Sequence, residues 1–174
     1  PGHLVVGKST VPVGSAARLA ELVEATGARL AWNPEFLREG FAVSDTLSPD
    51  RLVYGVRPGD AAAPAVLDEV YARTLAEGTP RIVTDFATAE LVKVSANAFL
   101  ATKISFINAM AEIAEVTGAD VATLADAIGA DARIGRRFLN AGVGFGGGCL
   151  PKDIRAFQAR AAELGVGHAL AFLD

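Results

Sequence analysis

The chain has 174 residues, 51% of them apolar, with 16 basic and 20 acidic side chains giving a net charge of -4, and a single cysteine and a single tryptophan. That composition excludes a disordered tail, a collagenous repeat and a disulfide-stapled module, and leaves a packed fold of one domain or parts of two. Scattered basic residues give no footprint for nucleic acid, and neither a long uncharged run nor a basic leader with a short apolar stretch is visible, so no membrane span is expected and the location is read as cytoplasmic.

The chain opens on Pro1 and enters apolar sequence at once, which suggests a piece of a longer protein. His3 to Val6 reads as a buried strand, Lys8 to Gly14 as a loop, and about Ser15 to Thr26 as an alanine-rich helix stopped by Gly27. Arg29 to Trp32 and Arg51 to Val56 read as strands, Asp60 to about Leu75 as a helix capped by Asp60, and Arg81 to Val83 as a further short strand. Alternation of this kind predicts a parallel α/β sheet.

From Phe86 to Thr117 no proline or glycine interrupts the sequence, so one long helix is predicted, with Gly118 as its stop. Asp120 is expected to cap a helix reaching Ile128, and Arg136 to Asn140 is helix-like. A glycine-rich loop occupies Gly142 to Gly148, and Pro151 opens a helix running to about Leu164. The expected fold is α/β: a partial doubly wound parallel sheet over residues 1–84, then an all-helical domain with one long central helix over residues 85–174. No strand, glycine fingerprint and helix N-terminus of the kind that holds a dinucleotide pyrophosphate opens the sheet portion, so the first half of a cofactor domain is expected to be missing.

Gly142-Val143-Gly144-Phe145-Gly146-Gly147 matches G-x-G-x-x-G by letter, but no strand is predicted before it and no helix opens directly after it. Its glycines are better read as letting the backbone approach a ligand or as placing Cys149. The bland reading of a lone cysteine is a small buried hydrophobe. Here three glycines precede the thiol and the Pro151 helix follows, where free amides and the helix dipole favour thiolate, and Lys152 adds positive charge. A nucleophile that attacks a carbonyl is the sharper reading. Asp153, four residues on, falls on the same helical face, either with a part in the chemistry or as an early-helix acid that complements the dipole.

Lys93 and Asn97 are also four residues apart, on the long helix and among apolar neighbours, so both are expected to be partly buried. A snorkelling lysine is the alternative to a polar binding site. Asn33 to Gly40 follows a strand at its carboxyl end, where parallel sheets keep ligand sites, and carries Glu35 and Glu39, either of which could serve as a base or be a solvated loop acid. Ser9 and Thr10 sit at another strand end. His3 and His168 have no partners at metal spacing, and no metal site is expected.

Taken together, Lys8 to Gly14, Asn33 to Gly40, Ala89 to Lys93 through Asn97-Ala98-Phe99, and Gly144 to Asp153 resemble the UDP-glucose 6-dehydrogenases of the UDP-glucose/GDP-mannose dehydrogenase family. The four motifs stand in the family's order and cover the rear of its NAD domain and most of its central helical domain. The resemblance implies oxidation of a nucleotide-sugar alcohol to a carboxylate by two hydride transfers to NAD through an enzyme-bound thioester. It implies Cys149 as nucleophile, Lys93 and Asn97 around the reacting oxygen, Asp153 as the acid associated with Lys93 and catalytic water, Thr10 as a hydroxyl near that water, and Glu35 as base for hydrolysis. It assigns Ser9, Thr10, Glu39, Cys149 and Lys152 to the cofactor. Substrate contacts carried over are Glu35, Phe36, Leu37, Arg38, Glu39, Lys93, Asn97, Arg133, Asn140, Phe145 and Gly146. Gly148 departs from the serine usual before the thiol in the glucose enzymes. GDP-mannose is the runner-up substrate, and a non-catalytic dimerisation module is the alternative of another class. The resemblance also implies a homodimer or higher homo-oligomer through the central helix. The chain alone is expected to be inactive.

Overall fold

The computed structural model describes residues 2–173. The chain divides into two compact units, residues through Val94 and residues from Ser95 on, the division falling inside a helix. The first unit holds β1 (Leu4–Gly7), α1 (Ser15–Glu24), β2 (Arg29–Trp32), α2 (Ala42–Leu47), β3 (Leu52–Gly55), α3 (Ala62–Val70), α4 (Ala72–Ala76) and β4 (Arg81–Thr84). The long α5 (Phe86–Thr117) starts in it, and the second unit adds α6 (Val121–Gly129), α7 (Leu150–Glu163) and a terminal 3-10 helix, Gly167–Leu173.

The sheet order is β1-β2-β3-β4. β1 pairs with β2 and β3 with β4 in parallel, each through a helical crossover. The α/β class is the expected one, but the all-parallel sheet needs one correction, because β2 and β3 are antiparallel, with Trp32 opposite Gly55. A parallel return needs a long crossover that packs on the sheet. Residues 33–51 offer only the six-residue α2, none of it buried, whereas α1 buries Ala16 and Ala20 and α3 buries Ala63 and Leu67. After Trp32 the chain therefore runs back along β3, and Asn33 Nδ2 donates to the Val53 carbonyl at 2.9 Å.

Both faces of the sheet are covered. Leu30, Trp32 and Val53 pack with Ala16, Ala20, Phe86 and Ala89 on one side, and Ala31, Leu52, Tyr54 and Val56 pack with Ala63 and Leu67 on the other. This is why β2 and β3 read as unbroken apolar runs rather than alternating ones. Burial of each large side chain contributes about 1.5–3 kcal/mol. Two close approaches require glycine: a Cβ on Gly7 would enter the Trp32 ring, and one on Gly55 would lie 2.6 Å from the Ala89 Cβ.

Asp60 accepts the Ala62 and Ala63 amides at 2.9 and 3.1 Å, as its predicted capping role requires. The single helix predicted beyond it is two helices, broken at Tyr71. The Tyr71 ring lies parallel to Tyr54 at 6.2 Å and its hydroxyl donates to Asn33 Oδ1 at 2.6 Å, so the side chain is held on the sheet while the backbone leaves helical geometry.

In the second unit Ile107, Ala125 and Leu139 form the core, with Met110, Val121, Leu124 and Ile128 against it. Asp120 caps α6 through the Ala122 and Thr123 amides. The helix-like reading of Arg136 to Asn140 is corrected to turns, with Phe138 at φ 65°. Tertiary contacts dictate this: Leu139 is buried in the core, and Arg136 Nη1 turns back to the Leu139 carbonyl and Asn140 Oδ1 at 3.0 and 2.8 Å.

Candidate functional site

In the first unit the chemistry-bearing residues gather beyond the ends of β1 and β2. Ser9 is exposed and Thr10 half-buried, and neither side chain makes a hydrogen bond among the described residues. The helix that follows them is capped from an unexpected quarter. Glu90, 2% exposed on α5, accepts the Gly14 amide through Oε2 at 2.7 Å and the Ala16 amide through Oε1 at 2.6 Å. A buried carboxylate thus occupies the positive end of α1, and this strand-loop-helix cannot offer those amides to a pyrophosphate. Sequence reasoning missed Glu90; its one signal was an acid among the apolar residues Ala89, Leu91 and Val92.

Lys8 Nζ donates to Asn33 Oδ1 at 2.7 Å and to the Tyr71 hydroxyl at 2.8 Å. Asn33 is buried, so this network fixes the start of the 33–40 segment. Two residues on, Glu35 Oε2 accepts the Leu37 amide at 2.7 Å, and Oε1 lies 3.4 Å from Lys93 Nζ. Lys93 is 8% exposed, and its ammonium also sits 5.6 Å from the Phe36 ring centroid, with Arg51 stacked on the same ring at 3.8 Å. The buried lysine is therefore paired and ring-contacted, not snorkelling. A pocket of about 100 Å³ is lined by Lys8, Asn33, Glu35, Phe36, Arg51 and Tyr71 among others.

Residues 37–40 of the segment are exposed. Arg38 clasps Asp45 through Nε and Nη2 at 2.9 and 2.6 Å, which holds the Asp45 carboxyl below the usual carboxylate range and raises the guanidinium. Leu37 and Glu39 are open to solvent.

In the second unit Cys149 is exposed and is the residue that precedes the first turn of α7, which Pro151 opens. Its carbonyl accepts the Asp153 amide at 2.9 Å. Asp153 is 4% exposed and accepts Asn97 Nδ2 at 2.8 Å through Oδ2, while Lys152 Nζ stands 3.4 Å from Oδ1. The structure thus joins Asn97 to Asp153, a contact that spacing along either helix could not reveal.

The glycine loop is reached from α5 as well. The Gly142 amide donates to Asn108 Oδ1 at 2.9 Å, and Asn108 is a second residue that sequence reasoning missed. Phe145 is half-buried and Gly146 exposed. Asn140 Oδ1 is engaged by Arg136, and the Arg133 guanidinium, largely exposed, is held by Asp131, whose carboxyl is lowered by that bond. Turns, not a strand, precede Gly142, and α7 opens only at Leu150, so the G-x-G-x-x-G letters lack the setting of a dinucleotide fingerprint. Among the described residues no group of three or more His, Cys, Asp or Glu side chains could hold a metal ion.

Comparison with known proteins gives a consistent result. Residues 1–75 match the NAD binding domain, and residues 87–172 the central domain, of the UDP-glucose/GDP-mannose dehydrogenase family. A UDP-glucose 6-dehydrogenase of Rickettsia typhi is 50% identical over 157 residues, covering 89% of this chain and 36% of the relative. The UDP-glucose 6-dehydrogenase TuaD of Bacillus subtilis is 47% identical over 167 residues, 93% of this chain and 35% of that protein. Among solved structures, a UDP-glucose dehydrogenase from Pyrobaculum islandicum superposes with a TM-score of 0.88 at 44% identity, over 98% of this chain and 40% of that one. A GDP-mannose dehydrogenase from Pseudomonas aeruginosa gives 0.70 at 33% identity, over 99% and 41%. The chain spans little more than a third of the length of the curated relatives.

Proposed function

Because the chain belongs to the UDP-glucose/GDP-mannose dehydrogenase family, we propose that the whole protein oxidises UDP-glucose to UDP-glucuronate in two NAD-dependent steps, with Cys149 as the covalent nucleophile. The observation that carries the reading is the exposed thiol between a glycine loop and the first turn of α7, one helical turn from the Asn97-Asp153 hydrogen bond. UDP-glucose is preferred to GDP-mannose because the UDP-glucose relatives are the more similar in both sequence and structure.

In this reading the primary alcohol loses a proton and a hydride to give an aldehyde. The Cys149 sulfur adds to that carbonyl carbon, the resulting thiohemiacetal loses its hydroxyl proton and a second hydride to give a thioester, and water cleaves the thioester to carboxylate and free thiol. NAD, when bound, is the hydride acceptor. Lys93 stabilises negative charge on the reacting oxygen, and Asn97 orients it while its amide is itself fixed by Asp153. Glu35 and Thr10 serve the hydrolytic water, and Glu35 is held for that role by the Leu37 amide and Lys93.

The described residues fit part of a cofactor. The open hydroxyls of Ser9 and Thr10 suit a polar edge of it, and Glu39, Cys149 and Lys152 complete the assignment, but no free amide cradle for the pyrophosphate is present at α1. The 174-residue chain by itself is accordingly read as inactive. The nucleotide sugar is assigned to residues 35–39, Lys93, Asn97, Arg133, Asn140, Phe145 and Gly146. Self-association through α5 belongs to the same reading, supported by Phe99, Phe106 and Ile113, which recur at seven-residue spacing and are all exposed. A cytoplasmic location is proposed with it, since the mechanism needs a reduced thiol; no described helix is long and apolar enough to cross a membrane.

The test is Cys149→Ser in the whole protein. Acid formation stops and UDP-glucose binding by calorimetry stays within about threefold, because the thiol contributes to chemistry more than to affinity. Normal turnover by the serine variant would overturn the covalent mechanism.

A further inference from the structure

The segment from Gly142 to Asp153 contains the glycine loop, the thiol and the first turn of α7, and it is tied to α5 at both ends. At its far end Asp153 accepts from Asn97, and at its near end the Gly142 amide donates to Asn108. Asn97 and Asn108 are eleven residues apart, as are Gly142 and Asp153. Eleven residues are close to three full turns of an α-helix, so the two asparagines project from the same face about 16 Å apart. The twelve residues from Gly142 to Asp153, five of them glycine, are thereby held at both ends by amide side chains of one helix.

The second attachment has no evident role in the fold. Asn108 is half-buried, next in sequence to the fully buried core residue Ile107, and its Oδ1 bonds neither water-facing charge nor its own helix, but a loop amide. In the rest of the loop Phe145 alone is half-buried: Gly142, Gly144, Gly146, Gly147 and Gly148 bring no side chains, and Val143 is fully exposed. Glycine-rich backbone has the largest conformational freedom to lose, so a single anchor at its first residue restricts it more than the same bond would in a bulky sequence.

We infer that Asn108 is a positioning residue: by accepting the Gly142 amide it fixes the entrance of the glycine loop and so sets where that loop meets the nucleotide sugar. The inference rests on the proposed function for its substrate, but the anchor itself does not. Asn97 ties the loop's exit through Asp153; Asn108 ties its entrance. With both ends fixed, the loop amides are arranged before substrate arrives, and less ordering is left for the binding step.

Two readouts separate the anchor from the function. In the 174-residue chain, Asn108→Ala speeds hydrogen exchange at the Gly142 amide by about tenfold, the loss expected for one hydrogen bond, whereas Asn108→Asp, which keeps an acceptor oxygen, retains protection. Gly142→Ala serves as control, since a Cβ there meets nothing within 4 Å and the amide is kept. In the whole protein, Asn108→Ala raises KM for UDP-glucose about fivefold while KM for NAD stays within about twofold, a split that general destabilisation would not produce. If Gly142 exchange is the same in wild type, Asn108→Ala and Asn108→Asp, the anchor does not exist and the inference is wrong. If exchange responds but both KM values are unchanged, the anchor is structural only and the positioning role is overturned. A protein with no UDP-glucose activity even before substitution refutes the proposed function and leaves the exchange result standing as the test of the anchor. Should Asn108→Ala fail to fold, retained Gly142 protection in an Asn108→Leu variant of the same chain would likewise refute the anchor.

Discussion

Glu90→Ala removes the side chain that accepts the Gly14 and Ala16 amides at the start of α1. The carboxylate makes two charge-assisted hydrogen bonds, at 2.7 Å to the Gly14 amide and 2.6 Å to the Ala16 amide, from a site 2% exposed. Bonds to an ionised group contribute about 1.5–3 kcal/mol each, but burial of the charge offsets part of that gain. Ala16 is completely buried, so its amide cannot turn to water once the acid is gone, and an orphaned amide costs about 1–3 kcal/mol. A loss of about 3 kcal/mol is expected for Glu90→Ala. Glu90→Gln keeps one acceptor oxygen and points an amide at the second donor, and is expected to lose about half as much. Trp32 is the single tryptophan, buried in the cluster that contains Ala16 and Ala89, so its fluorescence during urea unfolding reports on this unit. A loss below about 0.5 kcal/mol in the alanine variant, with an unchanged urea slope, would show that water or another group replaces the carboxylate and that the capping account is wrong.

Two further outcomes are expected. Asp85 and Asp120 cap α5 and α6, and both carboxyls are held below their ordinary value of 3.8, Asp85 chiefly by the Thr88 amide and hydroxyl and Asp120 chiefly by the Thr123 hydroxyl and amide. Because the folded values are lowered, the stability these caps contribute is complete above the unfolded value and is lost as pH falls below it through the folded value. Urea midpoints measured downward from about pH 5 fall for the wild-type chain, and Asp120→Asn, which keeps a good cap without a titrating group, falls less steeply; equal steepness would remove Asp120 from the account. Sedimentation equilibrium is expected to show concentration-dependent association that Phe106→Glu weakens, whereas a wild-type chain that stays monomeric at every concentration would leave the exposed face of α5 without a partner of its own kind.

Much of the fold was legible because it rests on local signals. The uninterrupted run from Phe86 to Thr117 dictates a helix whatever surrounds it, and Asp60 and Asp120 cap where a short acid before an apolar run should. The strand Arg29–Trp32 was readable because both its faces are covered and Leu30, Ala31 and Trp32 run apolar without alternation. The antiparallel pairing of β2 with β3 was not readable, since strand direction depends on whether the intervening segment packs as a crossover, and α2 is too short and too exposed to do so. Nor was the break at Tyr71, where contacts with Tyr54 and Asn33 override an otherwise helical sequence.

The candidate site divides along the same line. Sequence by itself determined the inventory: one thiol ahead of a proline-opened helix, a lysine and an asparagine one turn apart on a long helix, and two acids after a strand, because residue type and local spacing are written directly in the chain. Only the tertiary structure decided the partnerships. Lys93 pairs with Glu35 from a different element, Asp153 with Asn97, Gly142 with Asn108, and Glu90 with the amides of a helix more than seventy residues away in sequence. Lys93, Asp153 and Glu90 are buried charges in need of a partner, whereas Gly142 is exposed and is simply brought within reach of Asn108; in every case the partner is fixed by the packing of helix on sheet and helix on loop rather than by any spacing along the chain.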